Sequence, residues 1–287
     1  MRIAIAGAKG QLGAALVHEC RSRHDEVTAL DRGDLDVCDG RAVADMMERL
    51  RPDVIVNCTG YNTVDAAEDH PIDALALNAF AVRALARAAN SVRAALVHYS
   101  TDFVFDGVAT TPRSETDPPN PKSVYATSKL VGEWFAADVP RHYVLRVESL
   151  FGQADGGPSP KGTVAGIVNA LVNDRVAKVL SDRVVSPTFI VDAAFATREL
   201  LEGNAAPGLY HCVNSGHATW LDFASEAARL LGVEPRFEVL RFADVKLPAA
   251  RPQYCALSNA KLAALGIQMP SWQDALGRYV KSLVART

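Results

Sequence analysis

The chain opens Met1-Arg-Ile-Ala-Ile-Ala-Gly7-Ala-Lys-Gly10-Gln-Leu-Gly13, and the reading of this stretch decides the fold. Arg2–Ala6 reads as a short buried strand, the glycine-rich run as a tight turn, and the residues on through Cys20 as a helix. Strand, glycine turn and helix in that order form the opening of a dinucleotide-binding unit. Gly7 permits the turn, and Gly10 lets the backbone approach a pyrophosphate with no Cβ between them. Gly13 lets the helix pack closely on the strand, and the free amides at the helix start hold the phosphates, together with Gln11 and Leu12.

Bulk properties narrow the class. At 287 residues there is room for one large α/β domain, or one domain and a smaller lobe. A net charge of −3 gives no reason to expect nucleic acid or an anionic membrane as partner. No apolar run approaches a membrane span, and the N-terminus runs into a core strand instead of a signal peptide. The five cysteines are scattered with no C-x-x-C pair, as expected of reduced thiols in a cytoplasmic protein with no metal site.

Downstream, Glu26–Leu30 reads as a second strand ending at Asp31-Arg32. An acidic residue there binds the adenosine ribose hydroxyls and favours NAD(H). Arg32 beside it suits a 2′-phosphate and favours NADP(H). The two signals oppose each other, with a slight lean to NADP(H). The segment 34–39, including Asp36 and Val37, is expected to line the adenine pocket before a helix at Gly40–Leu50, although Asp39 also fits a plain helix N-cap. Residues 53–57 form another buried strand, and Cys58-Thr59-Gly60-Tyr61 at its C-terminal end should pass under the cofactor. An alanine-rich helix over about 73–89 suits packing and carries no chemistry in this reading. The strand over 94–102 ends in Ser100-Thr101-Asp102, with His98 expected as a core histidine.

Strand, crossover helix and strand recur to about residue 150, which predicts an α/β fold with a Rossmann-like, doubly wound parallel sheet. The boundaries follow: 1–150 as the dinucleotide-binding domain, with segments from about 180 to 215 returning to it, and 151–287 mainly as a smaller C-terminal substrate-binding lobe. Trp220, on an amphipathic helix over 219–231, is expected in the core of that lobe.

The chemistry sits in Tyr125-Ala-Thr-Ser-Lys129. Residues four apart share a helix face, so Tyr125 and Lys129 point into one pocket. A free tyrosine is a poor acid–base group at neutral pH, and a nearby ammonium should favour the phenolate and lower its pKa. Lys129 would also hold the nicotinamide ribose, and the Thr101 hydroxyl would orient the substrate oxygen.

With those residues in place, and with the G-x-x-G-x-x-G spacing of Gly7, Gly10 and Gly13, the chain resembles the extended short-chain dehydrogenases, in particular the dTDP-4-dehydrorhamnose reductase family. The resemblance covers nearly the whole length. It rests on 7–13, on Asn57 to Glu68 with Asp65, on Tyr99-Ser-Thr-Asp-Phe-Val-Phe-Asp-Gly107, on Glu115-Thr-Asp117, on Tyr125 to Lys129, and on the tail with Arg251-Pro252 and Trp272. It implies NAD(P)H-dependent reduction of the C4 ketone of a 4-keto-6-deoxy sugar on a nucleoside diphosphate, with Thr101, Tyr125 and Lys129 catalytic. Asp102, Phe103 and Ser149 match positions near the sugar, and Arg251 would meet the diphosphate. A homodimer stays open. The family commonly has a small residue and an aromatic where this chain has Glu148 and Ser149, which leaves the exact sugar open: either Phe151, Phe189 or Tyr254 fills the gap, or the gap is real and a sugar of different configuration or with an extra polar substituent is preferred. Two other readings compete: a non-catalytic partner subunit similar to the beta subunit of methionine adenosyltransferase, and a sugar-nucleotide epimerase.

Overall fold

In the computed structural model, which describes residues 1–284, six strands form one parallel sheet. They are β1 (Arg2–Ala6), β2 (Glu26–Leu30), β3 (Val54–Asn57), β4 (Ala95–Thr101), β5 (His142–Val147) and β6 (Gly208–His211). Their spatial order is β2-β1-β3-β4-β5-β6. The chain leaves β1 in one direction to make β2 and in the other from β3 onward, so the sheet is doubly wound. A crevice opens at the carboxyl edge where the direction reverses. Ala6 pairs with Leu30 on one side and Asn57 on the other, so Gly7, Asp31 and Cys58 leave the sheet next to one another.

The main helices are α1 (Gln11–Ser22), α2 (Gly40–Leu50), α3 (Ala81–Val92), α4 (Val124–Ala136), α5 (Thr163–Val172), α6 (Ile190–Glu202), α7 (Trp220–Leu231) and α8 (Trp272–Val284). Alternate residues along each strand feed opposite faces. Ile3, Ile5, Val54, Val56 and Val97 pack with Leu12 and Leu16 of α1 and Ala193 and Leu200 of α6. Ala4, Ala6, Ile55 and Leu96 pack with Val43 and Met47 of α2 and Val82 and Leu85 of α3. A third core, centred on Phe151, Phe189, Phe223, Trp272 and Tyr279, joins α5, α7 and α8 to a parallel pair of short strands, Ala177–Leu180 and Phe237–Leu240. The chain thus crosses back from this core to the sheet through α6 and β6. Residues 285–287, which the expected lobe includes, lie outside the described residues.

The helix expected over 73–89 is interrupted. Pro71–Leu75 runs into a π turn, Ala76–Phe80, before α3 begins. A π turn re-aims side chains at an otherwise regular helix, and here it buries Asn78. No helix among the described residues is long and apolar enough to cross a membrane.

Candidate active site

The glycine turn is shaped by contact with the end of β3. Gly7 sits at φ +79°, and a Cβ there would lie 2.9 Å from the Cys58 carbonyl carbon. A Cβ on Gly13 would collide with the Gly7 carbonyl oxygen, and one on Gly10 would lie 3.1 Å from it. Gly10 is also the N-cap of α1, with no side chain bonded to the first amides of the helix. Uncapped amides on a turn that excludes side chains fit a dinucleotide phosphate. Gln11 donates to the Gly152 carbonyl at 2.9 Å, tying the turn to the chain beyond β5, while Leu12 is buried under the sheet.

The expected adenosine side is resolved residue by residue. Asp31 accepts from the amides of Gly33 at 2.6 Å and Asp34 at 3.2 Å and pairs with Lys9, contacts that hold its carboxyl below the usual range. Lys9, which the sequence reading passed over, therefore stands between the phosphate turn and the ribose side. Arg32 is exposed and has no hydrogen bond or ion pair among the described residues. Asp36 accepts from the Cys38 amide at 3.0 Å, and the Val37 side chain is buried in the sheet core, so at Val37 only backbone is left for an adenine ring. Asp39 caps α2 through the Arg41 and Ala42 amides.

A cleft of about 820 Å³ continues from the glycine turn to the lobe. Cys58, Thr59 and Gly60 line it, whereas Tyr61 packs beside Tyr125, Ala67 and Ala74. Asn78 receives the Tyr61 amide at 2.8 Å, donates to the Tyr61 carbonyl at 3.1 Å and donates to Ser128 of α4 at 2.9 Å. The helix expected to be inert thus fixes the β3 end against α4. A neighbouring hollow of about 1030 Å³ shares Lys9 and Pro158 with the cleft and runs beside Asp31.

Ser123 caps α4 through the Ala126 amide, which starts the helix just before Tyr125. Tyr125 and Lys129 both line the cleft, with Thr101 at the end of β4 lining it beside them. Lys129 Nζ donates to the Tyr99 carbonyl at 2.5 Å. Burial pulls the Lys129 ammonium down to about 8, against the opposing charge of Glu133. Burial also pushes the Tyr125 phenol up, and nearby Asp102 adds to it. This corrects the expected lowering of Tyr125 by Lys129: burial disfavours the charged phenolate, and desolvation is the dominant cause. Tyr125 is a neutral phenol at neutral pH.

The substrate end differs most from expectation. Phe103 meets Tyr125 edge-on with ring centroids 5.5 Å apart, and Asp102 accepts from Thr101 Oγ1 at 3.0 Å. Ser149 lines the cleft at φ +43° and donates to Glu148 at 3.2 Å. Phe151 and Phe189 stack inside the lobe core, so neither fills the place of an aromatic at position 149. Trp220, expected only as core, is buried and also lines the cleft. Arg251 lines the cleft too, but its guanidinium grips Asp65 at 2.9 and 2.8 Å, so a diphosphate would share it with that carboxylate. Arg183, which no local pattern marks, completes the wall.

A family model, the RmlD substrate binding domain, matches residues 1–285. A dTDP-4-dehydrorhamnose reductase of Streptomyces griseus is 36% identical over 98% of this chain and 94% of its own length. The crystal structure of a dTDP-4-dehydrorhamnose reductase from Clostridium acetobutylicum superposes with a TM-score of 0.91 at 33% identity, covering 99% of this chain and 100% of that one. The enzyme of that name from Bacillus anthracis, solved in complex with NADP, gives a TM-score of 0.91 at 29% identity over 98% of this chain and 99% of that one.

Proposed function

The chain belongs to the RmlD substrate-binding-domain family, and from that premise we propose that it reduces the C4 ketone of dTDP-4-dehydrorhamnose to give dTDP-rhamnose. It is an NAD(P)-dependent oxidoreductase acting on a nucleotide sugar. The observation that carries this reading is that Thr101, Tyr125 and Lys129 open onto the same cleft as the glycine turn.

A nicotinamide cofactor, when bound, would supply the hydride. Gly7, Gly10 and the start of α1 would hold its phosphates, Asp31 and Arg32 would serve its adenosine ribose, and Cys58, Thr59 and Gly60 would line its path along the cleft. Thr101 orients the ketone oxygen. Tyr125, kept neutral by burial, donates its proton as negative charge develops on that oxygen. Lys129 stabilises the phenolate left behind and would hold the nicotinamide ribose. Asp102, Phe103 and Ser149 surround the sugar, and Arg251 with Asp65 flanks the diphosphate. Residues 1–150, with α6 and β6 returning to the sheet, mainly serve the cofactor, while the lobe, Arg183 included, serves the substrate together with Asp102, Phe103 and Ser149 from the first part of the chain. We place the protein in the cytoplasm, as a monomer or homodimer, with no nucleic-acid or membrane partner.

A purely regulatory subunit has no need of a threonine, tyrosine and lysine converging in a cleft. An epimerase keeps its cofactor through many turnovers. Both alternatives are separated from reduction by one assay: stoichiometric NADPH oxidation on adding dTDP-4-dehydrorhamnose is expected, and no net oxidation would refute the reading.

A further inference from the structure

Four side chains from distant parts of the chain meet behind the sugar end of the cleft. Donor atoms of Asp102, Glu148 and Cys255 lie within 4.8 Å of one another, and Arg183 approaches the Cys255 sulfur at 3.7 Å. Asp102 and Glu148 are 3% and 2% exposed. Glu148 takes the Ser186 amide, and Ser149 donates to it. Asp102 Oδ2 and Arg183 Nε are buried with no hydrogen-bond partner among the described residues. The guanidinium supplies the positive charge that a cluster of acidic and thiol groups would otherwise take from a cation.

Arg183 is also held in place by rings. Its guanidinium lies 5.7 Å from the Phe103 ring and 5.9 Å from the Phe242 ring. Phe103 is the ring that meets Tyr125 edge-on. Arg183 therefore stands near the reacting carbon, where a sugar ring must sit. Its charge is already offset in part by buried Asp102, which makes it a poor anchor for a doubly charged diphosphate. A guanidinium only donates hydrogen bonds, so it selects an oxygen lone pair over an ammonium group.

We propose that Arg183 is a specificity-determining residue that donates to a hydroxyl oxygen of the substrate's sugar ring, and that Glu148 is a positioning residue that holds it there. This rests on the nucleotide-sugar reading of the cleft and adds the group that reads the sugar.

The test is calorimetric binding of dTDP-rhamnose and of dTDP to the full chain saturated with NADP⁺. Losing a hydrogen bond from a charged donor should weaken dTDP-rhamnose binding in Arg183→Gln by about 10- to 100-fold and leave dTDP unchanged. Arg183→Lys should recover part of the loss. Glu148→Gln should weaken dTDP-rhamnose by less than Arg183→Gln, again with dTDP unchanged. Equal weakening of both ligands would make Arg183 a nucleotide or diphosphate anchor and overturn the proposal. No weakening would overturn it as well, as would wild-type protein that binds dTDP-rhamnose no more tightly than dTDP. If Arg183→Gln fails to fold, Arg183→Lys decides alone by the same ratio of the two ligands. Turnover of the 4-keto sugar does not enter these binding ratios, so failure of the reductase reading shows separately.

Discussion

Two buried ionic clusters flank the Tyr125–Lys129 pair, and they are built differently. On the Lys129 side, Arg146 grips Glu133 with two hydrogen bonds of 2.8 and 2.7 Å, and Ser100 donates to the same carboxylate at 2.5 Å. On the Tyr125 side, two carboxyls share one guanidinium without a bidentate bond, and the Asp102 carboxyl is pushed up to about 6 by burial. Burial also pushes the Glu148 carboxyl well up, with the charge of Asp102 adding to it. The first cluster spends its hydrogen bonds on holding β4, β5 and α4 together, with Arg146 Nη1 its one buried nitrogen left without a partner among the described residues. The second leaves polar atoms unpaired beside the cleft, where substrate can use them. A well-partnered buried ion pair marks structure here, and a poorly partnered one marks function.

The largest effect is expected at the group between the clusters. Tyr125→Phe keeps the ring and its contact with Phe103 but removes the proton donor, so kcat should fall by roughly 10²–10⁴-fold with cofactor affinity nearly unchanged. Near-normal turnover in stopped-flow assays would move the acid elsewhere.

The partnered cluster should fail as structure does. Arg146→Ala leaves Glu133 buried without its cation and should cost about 3–5 kcal/mol in urea unfolding. A loss well under 1 kcal/mol would erase the contrast between the clusters.

The Lys129 side also predicts a pH limit. Burial holds Lys129 at about 8, so kcat/KM should fall above that pH, by about tenfold per unit, as the ammonium is lost. A pH–rate profile flat to pH 10 would show that Lys129 keeps its proton.

The unpaired cluster should behave in the opposite sense. Asp102 and Glu148 have folded pKa values above their ordinary 3.8 and 4.5, so they favour folding at low pH. That contribution is lost as pH rises through the folded values, from about 4 through 6 for Asp102. Glu148→Gln should therefore make stability less dependent on pH and cost nothing at pH 8. A marked destabilisation there would show that the Glu148 carboxylate is ionised and needed. The smallest effect lies outside both clusters. Arg32→Ala should weaken NADPH by a few-fold, the worth of an exposed ion pair, and leave NADH unchanged in fluorescence titrations. Equal loss for both cofactors would mean that Arg32 does not read the phosphate.

Much of this was legible in the residues themselves because it depends on short-range pattern. β1, the glycine turn and α1 are contiguous, and Tyr125 and Lys129 are set by one helical turn. Asp39 as a cap and His98 as core followed from local rules. Asn78 did not, because nothing in an alanine-rich run announces a π turn. Arg183 and the cluster of Asp102, Glu148 and Cys255 were invisible because strands, a lobe and a tail from different parts of the chain bring them together. The direction of the Tyr125 shift differs from the sequence expectation for a related reason: a neighbour's charge follows from spacing, whereas burial depends on the whole fold. Trp220 read as core and is core, but whether a core aromatic also walls a cleft is settled only by what lies opposite it.

The central claim, net hydride transfer to C4 with Tyr125 as acid, is tested most directly by running the reaction with NADPH deuterated at the transferable position and reading the sugar by NMR. The account predicts one deuterium at C4 of dTDP-rhamnose for each NADPH oxidised, and almost none formed by Tyr125→Phe in the same time. Sugar recovered without deuterium, with the cofactor returned in its original redox state, would contradict it.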